Sequence, residues 1–128
     1  MDEATRKTAL RMIPYGIYVL TTVAEDGEIG AATVNWVTQT AFNPPLVAIG
    51  VKTDSVTYEV IKKSGHFALN MLGKGQQAMA FAFFRPAEVD GNKLSGEPFI
   101  AGETGAPILE SAQAAVECKL VEIVELGD

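Results

Sequence analysis

Most of the chain reads as short apolar and β-branched runs of strand character, and three stretches repeat at helical spacing instead. Residues 2 to 13 form the first of these. Asp2 can cap the opening turn, Ala9, Leu10, Met12 and Ile13 make an apolar stripe, and Pro14 stops the helix. "GIYVLTTVA" follows, rich in β-branched and aromatic residues. In "EDGE", the Asp26-Gly27 pair suits a tight turn that needs positive φ, so an antiparallel pair is expected. The second arm should run from Ile29 to Thr40, ending before Pro44 and Pro45, which lack the N–H a ladder requires.

"LVAIGVKT" resumes as an apolar strand. "DSVTYEVIKKSG" predicts a short helix, with Val56 and Val60 one turn apart, Lys62 and Lys63 outward, and Gly65 as its stop. "HFALNML" is a further strand, and "QQAMAFAFF" a third helix ended by Arg85-Pro86. Residues 87 to 110 are rich in Gly and Pro and give little periodic signal, so a long surface connection is expected. In "AQAAVECKLVEIVEL", Ala114, Val116, Cys118, Leu120, Val124 and Leu126 share one face, with Glu122 the exception, which predicts one long strand. Antiparallel strands with short helices at the corners imply a mainly β fold, a Greek-key barrel with helical lids.

Composition narrows the classes. The 128 residues are 48% hydrophobic and 20% charged, which fits a single domain, residues 1 to 128, able to bury roughly two thirds of its unfolded surface. Ten basic against sixteen acidic side chains leave a net charge of −6, so nucleic acid would meet net repulsion. Cys118 is the one cysteine and His66 the one histidine, so neither an internal disulfide nor a two-histidine metal site can be built from one copy. No apolar run approaches the roughly 18 residues of a membrane span, and the N-terminus lacks the apolar core of a secretion signal. The reading is a cytoplasmic protein with no nucleic-acid or membrane partner.

Residues 31 to 40 carry unusual hydrogen-bonding capacity. On strand alternation, Ala31, Thr33, Asn35, Val37 and Gln39 share one face and Ala32, Val34, Trp36, Thr38 and Thr40 the other; neither is a clean core face. Two readings stand: an edge strand whose amides meet water, or a wall offering donors and acceptors to the rim of a flat heteroaromatic ligand. A strand-to-helix junction follows, with Lys52, Thr53, Ser55 and Thr57 where free N–H groups and the helix dipole favour an anion. Asp54 or Ser55 can equally be a plain helix cap. Neither GxxxxGK[ST] nor GxGxxG is present.

Taken in order, "PYGIYVLTT", "GAATVNWVTQTAFNPPLVAIGVKTDSVTYEVIKKSGHFALNML" and "AQAAVECKLVEIVELGD" resemble the flavin reductase-like family of FMN-binding split-barrel proteins, over nearly the whole chain. "NWVTQ", "PPLV" and "FALN" are similar to segments of its flavoredoxin and diflavin-protein branch. The resemblance implies a homodimeric Greek-key split barrel that holds FMN, in some members FAD, and moves electrons from NADH or NADPH to flavin. Carried over, Thr33, Val34, Asn35 and Trp36 would skirt the isoalloxazine, Thr38 and Gln39 the ribityl or phosphate region, and Lys52, Thr53, Ser55 and Thr57 the phosphate. Phe84 and Arg85, beside Phe83, would contact the nicotinamide nucleotide, the competing reading being a buried helical stripe ending in a solvated Arg.

Hydride transfer joins atoms of two cofactors, so the lack of an evident triad, carboxylate pair or metal set is compatible with an enzyme. The alternatives are a flavoredoxin-like electron carrier served by a redox protein partner, and a non-catalytic flavin-binding homologue. Members of the family continue after a Gly-Asp pair like Gly127-Asp128 with a His and at least one further strand, so the chain is expected to lack its C-terminal strand. Cys118 is expected to be a small core side chain and His66 structural or exposed.

Overall fold

The computed structural model describes residues 1–128. Its centre is a four-stranded antiparallel sheet in the order β10-β5-β1-β2, built from β1 (Tyr18–Val23), β2 (Ile29–Val34), β5 (His66–Met71) and β10 (Ala114–Lys119). The β1–β2 hairpin closes as its Asp-Gly pair predicts: Gly27 takes φ 87°, and Ala24 N–H donates to the Glu28 carbonyl at 2.9 Å. Four consecutive β1 residues, Val19 to Thr22, are buried, so this strand is covered on both faces.

Each face has its own core. On one, Leu20, Val34, Phe67 and Leu69 pack with Ile61 of α2 (Val56–Ser64). On the other, Val19 and Ala31 pack with Met79 and Phe83, of and beside α3 (Gln77–Ala82), and with Leu94 and Leu109. Asn70, fully buried on this second face, joins the layers. Its Nδ2 donates to the Val19 carbonyl at 3.0 Å and to Thr21 Oγ1 at 3.1 Å, and its Oδ1 accepts from Leu109 N–H at 2.9 Å. Thr21 completes the chain by donating to the Pro107 carbonyl at 2.5 Å. A satisfied buried network of this kind fixes one arrangement of the layers.

Three expectations change. The predicted arm from Ile29 to Thr40 is two strands: β2 ends at Val34, and β3 (Val37–Phe42) leaves the central sheet to form a separate ribbon with β4 (Pro45–Ile49). The expected alternation of faces therefore breaks at Asn35-Trp36, where the Trp36 carbonyl accepts from Gly50 N–H at 2.8 Å. Residues 87 to 110 are no plain connection. They hold β6 (Val89–Asp90), β7 (Lys93–Leu94), β8 (Glu97–Ala101) and β9 (Pro107–Leu109), and they bury Leu94, Ala106 and Leu109. Three of these four strands have only two or three residues, too short to leave a period in the sequence.

The third change is at the C-terminal end. β10 stops at Lys119, where Leu120 N–H turns to the Gly65 carbonyl at 2.8 Å, and residues 121 to 128 then lie beside α2 without strand pairing. Cys118 and Leu120 pack on the α2-side core, while Val124 and Leu126 of the predicted face stand in solvent. Helix α1 (Glu3–Arg11) forms under its Asp2 cap as predicted, yet none of its residues is buried. The sheets do not close on one another, which gives the mainly β, split-barrel-like fold expected from the sequence. No helix is long and apolar enough to cross a membrane.

Candidate functional site

Just past the end of β2, Trp36 pairs with Gly50, which follows β4 and lies six residues before the start of α2. A side chain on Gly50 would have its Cβ 3.1 Å from Trp36 Cε3, so the glycine is what allows the indole to lie against the β4 exit. The Trp36–Gly50 hydrogen bond fixes that approach, and Lys52 is two residues further on, a reach of at most about 7 Å. Asn35 and Trp36 are exposed, the indole at 62%, and Tyr15 packs at a tilt with its ring centroid 6.4 Å from that of Trp36. Tyr15 and Gly50 were not singled out in the sequence; a glycine inside an apolar strand was the available sign for the second.

The junction itself is a capped helix start. Ser55 Oγ accepts from Tyr58 N–H at 3.1 Å and donates to the Lys52 carbonyl at 2.7 Å. The first-turn N–H groups of Val56 and Thr57 have no acceptor within the helix, and the positive end of its dipole lies there. Lys52 Nζ stands 3.9 Å from Asp54 Oδ1, both side chains largely in water, a pairing too weak to hold the ammonium from an anion. Thr57 is buried where α2 crosses β2: a Cβ on Gly30 would come within 2.9 Å of Thr57 Cα. This close crossing sets the height of the α2 N-terminus above the sheet.

The last residues run along the same helix. Thr53 gives both its N–H, at 2.9 Å, and its hydroxyl, at 3.0 Å, to the Asp128 carbonyl. Tyr58 donates its phenol hydrogen to Glu125, and this bond first, then burial and the neighbouring carboxylates, holds the Tyr58 pKa above its ordinary value. A phosphate taking the Thr53 donors would displace the Asp128 carbonyl.

Other candidates divide by position. Thr33, half-buried, donates its hydroxyl to the Ala80 carbonyl at 2.5 Å and its N–H to the Phe83 carbonyl at 3.2 Å. Val34 has its side chain in the α2-side core, so it can offer a ligand only backbone. Thr38 and Gln39 lie further up the ribbon toward its tip; the Thr38 hydroxyl donates to the Gln39 carbonyl at 3.2 Å, and Gln39 Nε2 donates to the Ala41 carbonyl at 3.1 Å. Beyond α3, Phe83 is buried whereas Phe84, 65% exposed, and Arg85 face solvent. Met79, Ala80 and Phe83 make the buried helical stripe and Arg85 is its solvated end, so Phe84 alone departs from that reading.

The remaining ionisable groups have structural surroundings. Burial pushes the Cys118 thiol up, which disfavours the thiolate. His66 Nδ1 lies 3.2 Å from the Ser64 carbonyl. Glu117 accepts from the Thr104 hydroxyl at 2.6 Å and from the N–H groups of Thr104 and Glu103, and these bonds hold its carboxyl below the ordinary range. No three His, Cys, Asp or Glu side chains group as a metal site would require.

Comparison with known proteins adds to this geometry. The family model described as flavin reductase like domain matches residues 10–128. A flavin reductase of Pseudomonas putida is 30% identical over 128 residues, covering 100% of this chain and 74% of that protein. An NADH-dependent flavin reductase of Pseudomonas fluorescens is 29% identical, over 100% of this chain and 72% of its own length. Among solved structures, the NADH:FAD oxidoreductase of Streptomyces globisporus superposes with a TM-score of 0.84 at 30% identity, covering 99% of this chain and 75% of that one. Of a further relative, from Aeropyrum pernix and 32% identical, the chain spans 48%.

Proposed function

The chain belongs to the flavin reductase-like domain family, and from that premise we propose that it is an NAD(P)H:flavin oxidoreductase using FMN or FAD. The observation that carries the reading is the start of α2, where Lys52 and the first-turn N–H groups of Val56 and Thr57 can take an anion, on the segment that leaves the β3–β4 ribbon at the Trp36–Gly50 hydrogen bond. A ring system beside Asn35 and Trp36 would have its phosphate side toward Lys52 and Ser55. The residues fit such a group: Val56 and Thr57 have free first-turn N–H groups, and Lys52 adds positive charge.

A bound flavin supplies the hydride-accepting ring, so no nucleophile is required of the protein. The protein's part is placement. Asn35, Trp36 and the backbone of Val34 border the isoalloxazine, Thr38 and Gln39 the ribityl or phosphate side, and Lys52, Thr53, Ser55 and Thr57 the phosphate, whereas Thr33 gives its hydroxyl and N–H to Ala80 and Phe83 and has no donor left for the ring. Phe84 and Arg85 receive the nicotinamide nucleotide, with the guanidinium as a partner for its phosphates. Holding the two reactants in register converts an encounter into an effectively intramolecular step.

The assembly we propose is a homodimer. In the single chain the β3–β4 ribbon has no buried residue, and Phe42 at its tip is 90% exposed, next to exposed Leu46 and Val47. Apolar side chains on a projecting ribbon are the kind of surface a second copy covers. The test of function is direct: mix the protein with FMN or FAD and with NADH or NADPH, and follow loss of the reduced nicotinamide absorbance. Oxidation above the protein-free rate supports the reading, and its absence with all four combinations refutes it.

A further inference from the structure

Helix α3 is too short to hold itself. It has six residues and no side-chain cap at its start, and helices of that length are unstable unless tertiary contacts secure them. Gln76 secures the entrance, its Oε1 accepting from Gly73 N–H at 2.7 Å and its Nε2 donating to the Ser111 carbonyl at 2.6 Å. At the exit the carbonyls of the last turn need donors, and one residue supplies two. Thr33 gives its hydroxyl to Ala80 and its N–H to Phe83 across 47 residues of sequence.

The placement follows from topology. β2 is the edge of the central sheet, so the outward N–H of Thr33 has no strand partner and is free to bind the chain leaving α3. Thr33 lies on the face of Val19 and Ala31, where Met79 and Phe83 are packed; Val34 points to the opposite face. With Phe83 buried as an anchor, the next two residues emerge as an exposed corner. Phe84 sits there edge-on to Phe81, ring centroids 5.5 Å apart, followed by Arg85.

We propose that Thr33 is a positioning residue, its hydroxyl clamping the exit of α3 so that Phe84 and Arg85 stand at the end of β2 to receive the nicotinamide nucleotide. The nucleotide half of this inference rests on the reductase reading above. The clamp itself rests only on the two hydrogen bonds and the buried Phe83.

Thr33→Val keeps the shape and removes the donor; Thr33→Ala is a second hydroxyl-free variant, and Thr33→Ser retains the hydroxyl. Hydrogen exchange read by mass spectrometry on the nucleotide-free protein reports the clamp, and residues 77 to 85 should exchange faster in the valine and alanine variants than in wild type or the serine variant. In steady-state kinetics, KM for the reduced nicotinamide nucleotide should rise about tenfold, the scale of one lost hydrogen bond, while kcat and flavin Kd stay within about twofold and serine restores KM. Unchanged exchange overturns the clamp. Faster exchange with an unchanged KM, or a raised flavin Kd with an unchanged KM, overturns the positioning role, the second result placing the hydroxyl on the flavin instead. A wild type that oxidises neither nucleotide sinks the reductase reading and this role together, and is recognised because no variant is needed to see it.

Discussion

Replacing Gly30 with alanine tests whether the height of α2 above the sheet matters to the site. The new Cβ would lie 2.9 Å from Thr57 Cα, 3.1 Å from Thr22 Cγ2 and 3.3 Å from Val60 Cβ. Carbon atoms pack at about 3.5 to 4.0 Å, so the helix backbone must withdraw by roughly 0.6 to 1 Å. The nearest atom is backbone and cannot rotate away. Overpacking of this kind costs about 1 to 3 kcal/mol, offset by about 0.4 to 1 kcal/mol because alanine restricts the unfolded chain. The net, about 0 to 2.6 kcal/mol, corresponds to a fall in Tm of up to roughly 13 °C for a domain of this size.

The functional consequence is separate. Withdrawing α2 moves the N–H groups of Val56 and Thr57 away from a phosphate placed by Trp36 and Gly50, and weakening one hydrogen bond to a charged group should raise the FMN Kd about tenfold. Thermal unfolding followed by circular dichroism reads the first effect, and quenching of flavin fluorescence on titration reads the second. A variant that melts above the wild-type temperature, as the effect of alanine on the unfolded chain alone would give, refutes the close crossing. One that melts lower but binds FMN with unchanged affinity refutes the α2 start as the phosphate site.

Ser55→Asp should separate cap from ligand: aspartate caps as well as serine, so Tm should hold within a few degrees, while a carboxylate beside the phosphate should weaken FMN binding at least tenfold in the same titration. Asn70→Leu should lower stability by about 2 to 4 kcal/mol in urea unfolding, since it leaves the buried Leu109 N–H and Val19 carbonyl without their partner; an unchanged midpoint would discount the network. Glu117→Gln should destabilise at neutral pH, where the wild-type carboxylate ties Thr104 and Glu103 to β10. Because the Glu117 pKa is lowered on folding, its contribution is present above the ordinary carboxylate value and lost as pH falls through the folded one. The gap between wild type and variant should therefore narrow as pH falls below the ordinary carboxylate range, and a gap independent of pH would contradict the assignment.

The sequence by itself determined the local pieces. Asp26-Gly27 specified a hairpin because only certain residues accept positive φ, Ser55 and Gly65 marked the ends of α2, and the β-branched and aromatic residues of β1 marked a strand. The order of motifs carried the family. Tertiary structure alone decided where the polar run from Thr33 to Gln39 divides, because past Val34 the backbone pairs with the ribbon instead, Trp36 bonding to Gly50 fourteen residues on, where the absent Cβ leaves room for the indole. It also decided that Thr33 faces α3 and that Leu94 and Leu109 close the core from strands too short to show a period. Periodicity reports which side of an element is apolar; which element covers it is set by contacts distant in sequence, and those appear only when the chain is folded.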